Sequence, residues 1–280
     1  MSDRRFARMA EGIAHLDAPA PGSAQRVSGD WRQVRAPLVD LWVTPGGARD
    51  RQLLAGTRFC VLTGRESWSY GFDGDDGYCG WVHTGALGAP VTPTHWVTAT
   101  ASHAFPAPDI KHPGAHGLPH GARLAVGGVE GRFCETNQGF VPTAHLRRLE
   151  EWSVDPVGVA LQFLGAPYLW GGNSAAGIDC SGLVQAAFRA CGRACPPDGD
   201  LQMRMSGVDV APGREQAGDL VFWAGHVALI SATGRVIHAN ATHMAVVEED
   251  LSAVEARSEG PVLRRLRPTA GLTTASVSGP

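Results

Sequence analysis

Between Trp31 and about Gly88, apolar and polar residues alternate in short runs, and none is long enough to make an amphipathic helix. Arg58-Phe-Cys-Val-Leu62 and Trp68-Ser-Tyr-Gly-Phe72 are examples, separated by clusters rich in Gly and Asp. Alternation of period two, punctuated by turn residues, predicts short strands in a small, closed all-β unit. The text then recurs. Gly80-Trp-Val-His-Thr-Gly-Ala-Leu87 aligns with Gly139-Phe-Val-Pro-Thr-Ala-His-Leu146, and Ala55-Gly-Thr-Arg-Phe-Cys-Val61 with His120-Gly-Ala-Arg-Leu-Ala-Val126. Offsets of 59 and 65 residues suit two modules of about 60 residues with unequal loops.

After Glu150 the pattern changes. Asp155-Pro156 ahead of an apolar run reads as a helix start, with Asp as N-cap and Pro in the first turn. A glycine-rich loop follows from Pro167, and Leu183–Ala190 reads as a helix ending at Gly192. Gly218–Trp223, His226–Ile230 and Arg235–His238 read as successive strands. Helices followed by strands predict an α+β domain. The expected layout is multidomain: a lead-in segment at 1–29, all-β modules at 30–89 and 90–150, an α+β domain at 151–268 and a loose tail at 269–280.

Composition narrows the class. With 44% hydrophobic residues the chain can bury a core, and a net charge of -3 argues against nucleic acid, which needs a strongly basic face. No run approaches a membrane span, and the N-terminal arginines have no apolar stretch behind them, so the expected location is the cytoplasm. Six scattered cysteines read as free thiols.

Among those thiols Cys180 stands out. It follows the glycine-rich loop and opens a helix, where the dipole and first-turn N–H groups favour a thiolate and can receive an oxyanion. His226 and His238 are candidates for its base and for the group that orients the base. A hairpin centred at Ala232 would set the two imidazoles opposite each other. A turn with Thr233-Gly234 at its centre would instead pair His226 with Ala241. His112, His116 and His120 have a helical metal-binding spacing, but the glycines and prolines among them favour a solvated loop.

The blocks Pro167-Tyr168-x-Trp170-Gly-Gly, Gly177-Ile-Asp179-Cys180-Ser181-Gly182-Leu, Gly218-Asp219-Leu-Val-Phe, Gly225-His226-Val-Ala and Ile237-His238-Ala occur in an order that resembles the NlpC-type cell-wall cysteine peptidases. The resemblance runs from about 155 to 268 and implies a papain-like α+β fold. It implies Cys180 as nucleophile, His226 as general base, His238 as its orienting partner and Tyr168 as a hydrogen-bonding residue near the oxyanion. Asp179 and Asp219 then hold loop backbone. Trp170 and Ser181, within the same blocks, are candidates for lining the substrate.

The Gly-aromatic-Val ending of the repeated modules resembles bacterial SH3-like domains. The whole layout is similar to a subgroup with two such barrels ahead of the peptidase, acting on murein tri- or tetrapeptides during recycling. Those enzymes cut between γ-D-glutamate and the diamino acid and require a free L-alanine amine. By this resemblance Asp198, in the turn Pro196-Pro197-Asp198, binds the ammonium group, and Tyr78 of the first barrel lines the site. Gly199 departs from the hydroxyl residue usual after the acid. The resemblance implies no metal or cofactor. Two rival functions stand beside it: a non-catalytic murein-binding protein, and a thiol amidase or acyltransferase on another amide or lipid. Oligomeric state and the identity of the diamino acid stay open.

Overall fold

A computed structural model describes residues 3–269, and the chain divides into two units between Leu149 and Glu150. The tail expected from residue 269 lies, past Thr269, outside the described residues.

In the first unit the alternating text forms a seven-stranded antiparallel sheet. Its order is Leu87–Gly88, Asp30–Val34, Arg58–Arg65, Trp68–Asp73, Cys79–His83, Leu38–Trp42 and Arg49–Leu54. Alternation divides neighbouring residues between two cores. Phe59 packs with Val34, Leu41, Leu53 and Val82, whereas Cys60 and Leu62 pack with Phe72, Cys79 and Trp81. Residues 1–29, expected to carry little pattern, hold three short strands, Met9–Ala10, Ile13–His15 and Gln25–Val27, in a sheet of their own. Strands of two or three residues are too short to announce themselves by alternation.

Residues 95–148 form small sheets around a second core that includes Val97, Leu118, Leu124 and Val141. The recurring text adopts recurring structure. Cys79–His83 and Gly139–Pro142 each run into a single 3₁₀ turn, Thr84–Ala86 and Thr143–His145, and then into a strand that begins at Leu87 or Leu146. The residues before the two turns share nearly the same backbone, φ −63° and ψ 124° at His83, φ −54° and ψ 125° at Pro142. The shared Val-x-Thr-x-x-Leu spacing accounts for the match. His120, expected in a solvated loop, is buried instead, its ring Nδ1 3.1 Å from the Thr98 carbonyl.

The second unit contains helices α1 (Pro156–Leu161), α2 (Cys180–Ala190), α3 (Gly199–Gln202) and α4 (Leu251–Arg257). Asp155 caps α1 as the sequence suggests, its side chain accepting the Val157 N–H at 2.9 Å. An antiparallel sheet runs in the order Gly207–Asp209, Arg264–Pro268, Leu220–Trp223, His226–Ala232, Arg235–Asn240 and Ala245–Asp250. Helix α2 buries Leu183, Val184, Ala187 and Phe188 and packs on the His226–Ala232 and Arg235–Asn240 strands, with α1 beside it. The first residue of α2, Cys180, lies within reach of the backbone of Val227, the second residue of the His226–Ala232 strand.

Candidate active site

The site is built on how α2 begins. Asp179 is its N-cap, and the carboxylate accepts the Gly182 N–H at 2.6 Å and the Ser181 hydroxyl at 3.1 Å. Its second oxygen accepts the Gly171 N–H at 2.8 Å, which fastens the glycine-rich loop to the helix start. The loop can come this close because position 182 has no side chain. A Cβ there would stand 2.6 Å from the Gly172 carbonyl oxygen and 2.7 Å from Asn173 Oδ1. Alanine within a helix usually stabilises relative to glycine by about 0.5–1 kcal/mol. Here we expect the reverse: Gly182→Ala destabilises the chain by about 1–3 kcal/mol, read from denaturant melts, because the loop backbone must move.

Cys180 follows the cap and is buried, 8% exposed. Burial and the neighbouring Asp179 charge push its thiol up to about 12, against the pull of the backbone N–H groups of Val227, Ser181 and Cys180 itself. The dipole at the helix start is thus outweighed, and the resting sulfur is a thiol rather than the thiolate expected from helix position alone. Val227 reaches the sulfur from the neighbouring strand, one residue after His226.

His226 and His238 are joined directly, Nε2 to Nδ1 at 2.7 Å. Neither expected hairpin register is the one adopted. Thr233-Gly234 does form the turn, with Ala232 paired to Arg235, but a bulge at Ser231 shifts the register, so Ile230 pairs with Val236 and Leu229 with Ile237. Continuing that register sets His226 opposite Asn240. His238, two residues away on the same strand, then lies diagonally across on the same face. Without the bulge the two rings would face opposite sides of the sheet. Burial lowers both imidazoles, His226 to about 4.

Tyr168 lies on the loop beside these groups, half-buried, and pairs with Ile178 in an isolated bridge. Burial and the Cys180 and Asp179 charges push its hydroxyl up to about 12, so it remains a donor. Trp170 is 66% exposed at the loop surface. Ser181 is buried and gives its hydroxyl proton to Asp179, which leaves only lone pairs for a substrate. Asp198 opens α3 without a side-chain capping bond, and its charge is felt at Asp179. Gln202, fully buried, ties Asp198's turn to α2 by donating to the Ser181 and Pro196 carbonyls at 2.9 Å each.

Asp219 does what the motif implies, accepting the Gln216 N–H at 2.8 Å and a paired contact from Arg267. Tyr78 is corrected. Its side chain is only 2% exposed, inside the first unit's core, with Phe6 edge-on at 5.8 Å and the Arg51 guanidinium over its ring at 5.4 Å. A ring so enclosed serves packing, not display. Glu249 and Arg257, next to His238, carried no motif in the sequence, and neither did Gln202. All six cysteines are free. Among the described residues no group of three or more His, Cys, Asp or Glu side chains could hold a metal ion, and no helix is long and apolar enough to cross a membrane.

Comparison with known proteins bears on this geometry. Residues 165–258, which contain Cys180, His226 and His238, match the NlpC/P60 family, and residues 42–87 match the bacterial dipeptidyl-peptidase SH3 domain. The chain carries an NlpC/P60 domain. A γ-D-glutamyl-L-lysine dipeptidyl-peptidase of Bacillus cereus is 33% identical over 129 residues, 43% of this chain and 36% of that protein. Its namesake from Bacillus subtilis is 40% identical over 88 residues, 29% of each protein. The chain therefore spans about a third of the length of these curated relatives. A crystal structure of an NlpC/P60 family protein from Bacillus cereus aligns with a TM-score of 0.73 at 20% identity, covering 85% of this chain and 99% of that one, which is a likeness of fold. An SH3 domain and an NlpC/P60 domain thus occupy one chain, as the multidomain layout anticipated.

Proposed function

We propose that the protein is a cysteine peptidase of papain-like α+β fold behind two SH3-like barrels, acting in murein recycling. It hydrolyses the γ-D-glutamyl–diamino acid bond of short peptidoglycan peptides that begin with free L-alanine. One observation carries this reading: the Val227 N–H lies near enough to the Cys180 sulfur to favour its ionised form, and the preceding residue, His226, is hydrogen-bonded through Nε2 to His238. That leaves His226 Nδ1 as the nitrogen available to a thiol. The names of the relatives, with γ-D-glutamyl-L-lysine as the bond they cleave, support the substrate class.

In this mechanism the Cys180 proton passes to His226 Nδ1 as sulfur attacks the γ-carbonyl carbon of D-glutamate. The tetrahedral oxyanion takes the Cys180 N–H and the Tyr168 hydroxyl, which stays protonated. The C–N bond then breaks, and the imidazolium gives its proton to the departing diamino-acid amine. Water, giving a proton to the same nitrogen, attacks the thioester, releases the dipeptide acid and restores the thiol. Asp198, held beside the helix start by Gln202, receives the substrate's ammonium group.

Mass spectrometry on a panel of L-Ala-γ-D-Glu-L-Lys, its diaminopimelate counterpart and their N-acetyl derivatives tests the reading. Cleavage after D-glutamate of the free-amine peptides is expected, and an intact panel would overturn it. Acetylation, or Asp198→Ala, should each lower kcat/KM about 10- to 100-fold, the range for a charged hydrogen bond. Both together should cost little more than either alone, whereas additive losses would separate Asp198 from the amine.

A further inference from the structure

Polar contact continues behind the histidine pair. His238 pairs with Val247 across the sheet, so Glu249, two residues on, lies diagonally on the same face. Its Oε1 is 2.7 Å from His238 Nε2. The same carboxylate is clasped by Nη1 and Nη2 of Arg257, the last residue of α4. A second group reaches the same ring nitrogen: Asn240 Nδ2 is 3.1 Å from His238 Nε2. Asn240 cannot turn its oxygen there, because that oxygen accepts the His243 N–H at 2.8 Å.

These two neighbours make opposite demands. A carboxylate only accepts, so Glu249 requires a proton on His238 Nε2. The amide of Asn240 only donates on that side, and favours a bare Nε2. Building on the cysteine-peptidase reading, the geometry points to Glu249, anchored by Arg257, as the positioning residue that wins this competition and sets the proton order of the whole relay. With Nε2 of His238 protonated, its Nδ1 is a lone pair and accepts from His226 Nε2–H. That leaves His226 Nδ1 bare, the state a general base needs. Reversed, His238 Nδ1–H donates to His226 Nε2, and the proton sits on His226 Nδ1, where it blocks proton uptake from Cys180.

The guanidinium clasp holds Glu249 well below the usual carboxylate range, at about 2, so the carboxylate is ionised at every working pH. The other titratable and charged groups acting on the pair are Arg257 from α4 and His243 from the following turn, 3.9 Å from Glu249 Oε1.

The test uses the full chain, with ¹⁵N-imidazole NMR alongside steady-state kinetics. In the parent protein both rings should carry their proton on Nε2. Glu249→Ala should invert both tautomers and lower kcat on the order of 10²- to 10⁴-fold with KM nearly unchanged, the range for losing the group that orients a catalytic imidazole. Glu249→Asp should keep the parental tautomers. Removing the competing donor as well, in Glu249→Ala/Asn240→Ala, should recover part of the lost rate. If Glu249→Ala does not fold, Arg257→Gln carries the test: its carboxylate loses its anchor, and the tautomer ratio should shift in the same direction. Unchanged tautomers and rates in these variants would overturn the inference. A parent protein with ordered tautomers but no turnover of any peptide would instead defeat the peptidase reading and leave the relay standing.

Discussion

Cys180→Ala is expected to bring hydrolysis of L-Ala-γ-D-Glu-diamino acid peptides to background, a loss of at least about 10³-fold, with the peptide still bound. The argument is one of geometry. Only this sulfur stands at a helix start, receives an N–H from the strand that carries a histidine, and has further first-turn N–H groups beside it for an oxyanion. Alanine fills the buried site with little disturbance, so binding measured calorimetrically should stay within a few-fold of the parent. Cleavage by the alanine variant at the parental rate would refute the mechanism outright. Equal thermal stability of the two proteins would exclude unfolding as the cause of a loss.

The second large effect concerns His226. Its pKa of about 4 means that it is neutral, and able to act as a base, at all pH values well above that. The acid limb of kcat/KM should therefore lie near pH 4, well below the roughly 6.5 of an ordinary imidazole. Because only the thiolate alkylates and burial raises the Cys180 thiol, labelling by iodoacetamide should climb with pH toward the alkaline range instead of levelling off near neutrality. His226→Ala should lower kcat about 10³-fold or more and remove the acid limb near pH 4. Parental kcat in this variant would mean that His226 is not the base. The sign for stability follows from the same shift. Between about pH 4 and the ordinary imidazole range the unfolded chain binds a proton that the folded chain refuses, so stability at His226 falls as pH falls through that window.

Much of the site was legible because its signals are local. An Asp cap, a cysteine opening a helix, glycines in the preceding loop and two histidines on consecutive strands can each be read within a few residues. Cys180, His226 and Asp179 lie where that reading set them. What was not legible depends on partners distant in sequence. Glu249 follows Val-Val-Glu in an edge strand, where an acid reads as a solvated side chain, and only the sheet register turns it toward His238. Gln202 carries no pattern of its own, since its partners sit on α2 and on the Pro196 carbonyl. Tyr78 follows an Asp-Asp-Gly turn and is placed at the site by resemblance, yet Phe6 and Arg51, both remote in the chain, enclose it. The thiolate expectation failed for a similar reason: helix position is visible in sequence, whereas the burial that opposes it is not.

The bulge at Ser231 has a consequence for how this hairpin can drift over generations. Removing the extra residue at this bulge while the two-residue turn is kept rotates one imidazole to the far side of the sheet, even though every side chain named in the mechanism is still present. Residues added at the turn tip only lengthen the loop and leave both rings where they are. The paired segments on either side of the turn are therefore where a one-residue change silences a descendant that retains an intact set of motifs.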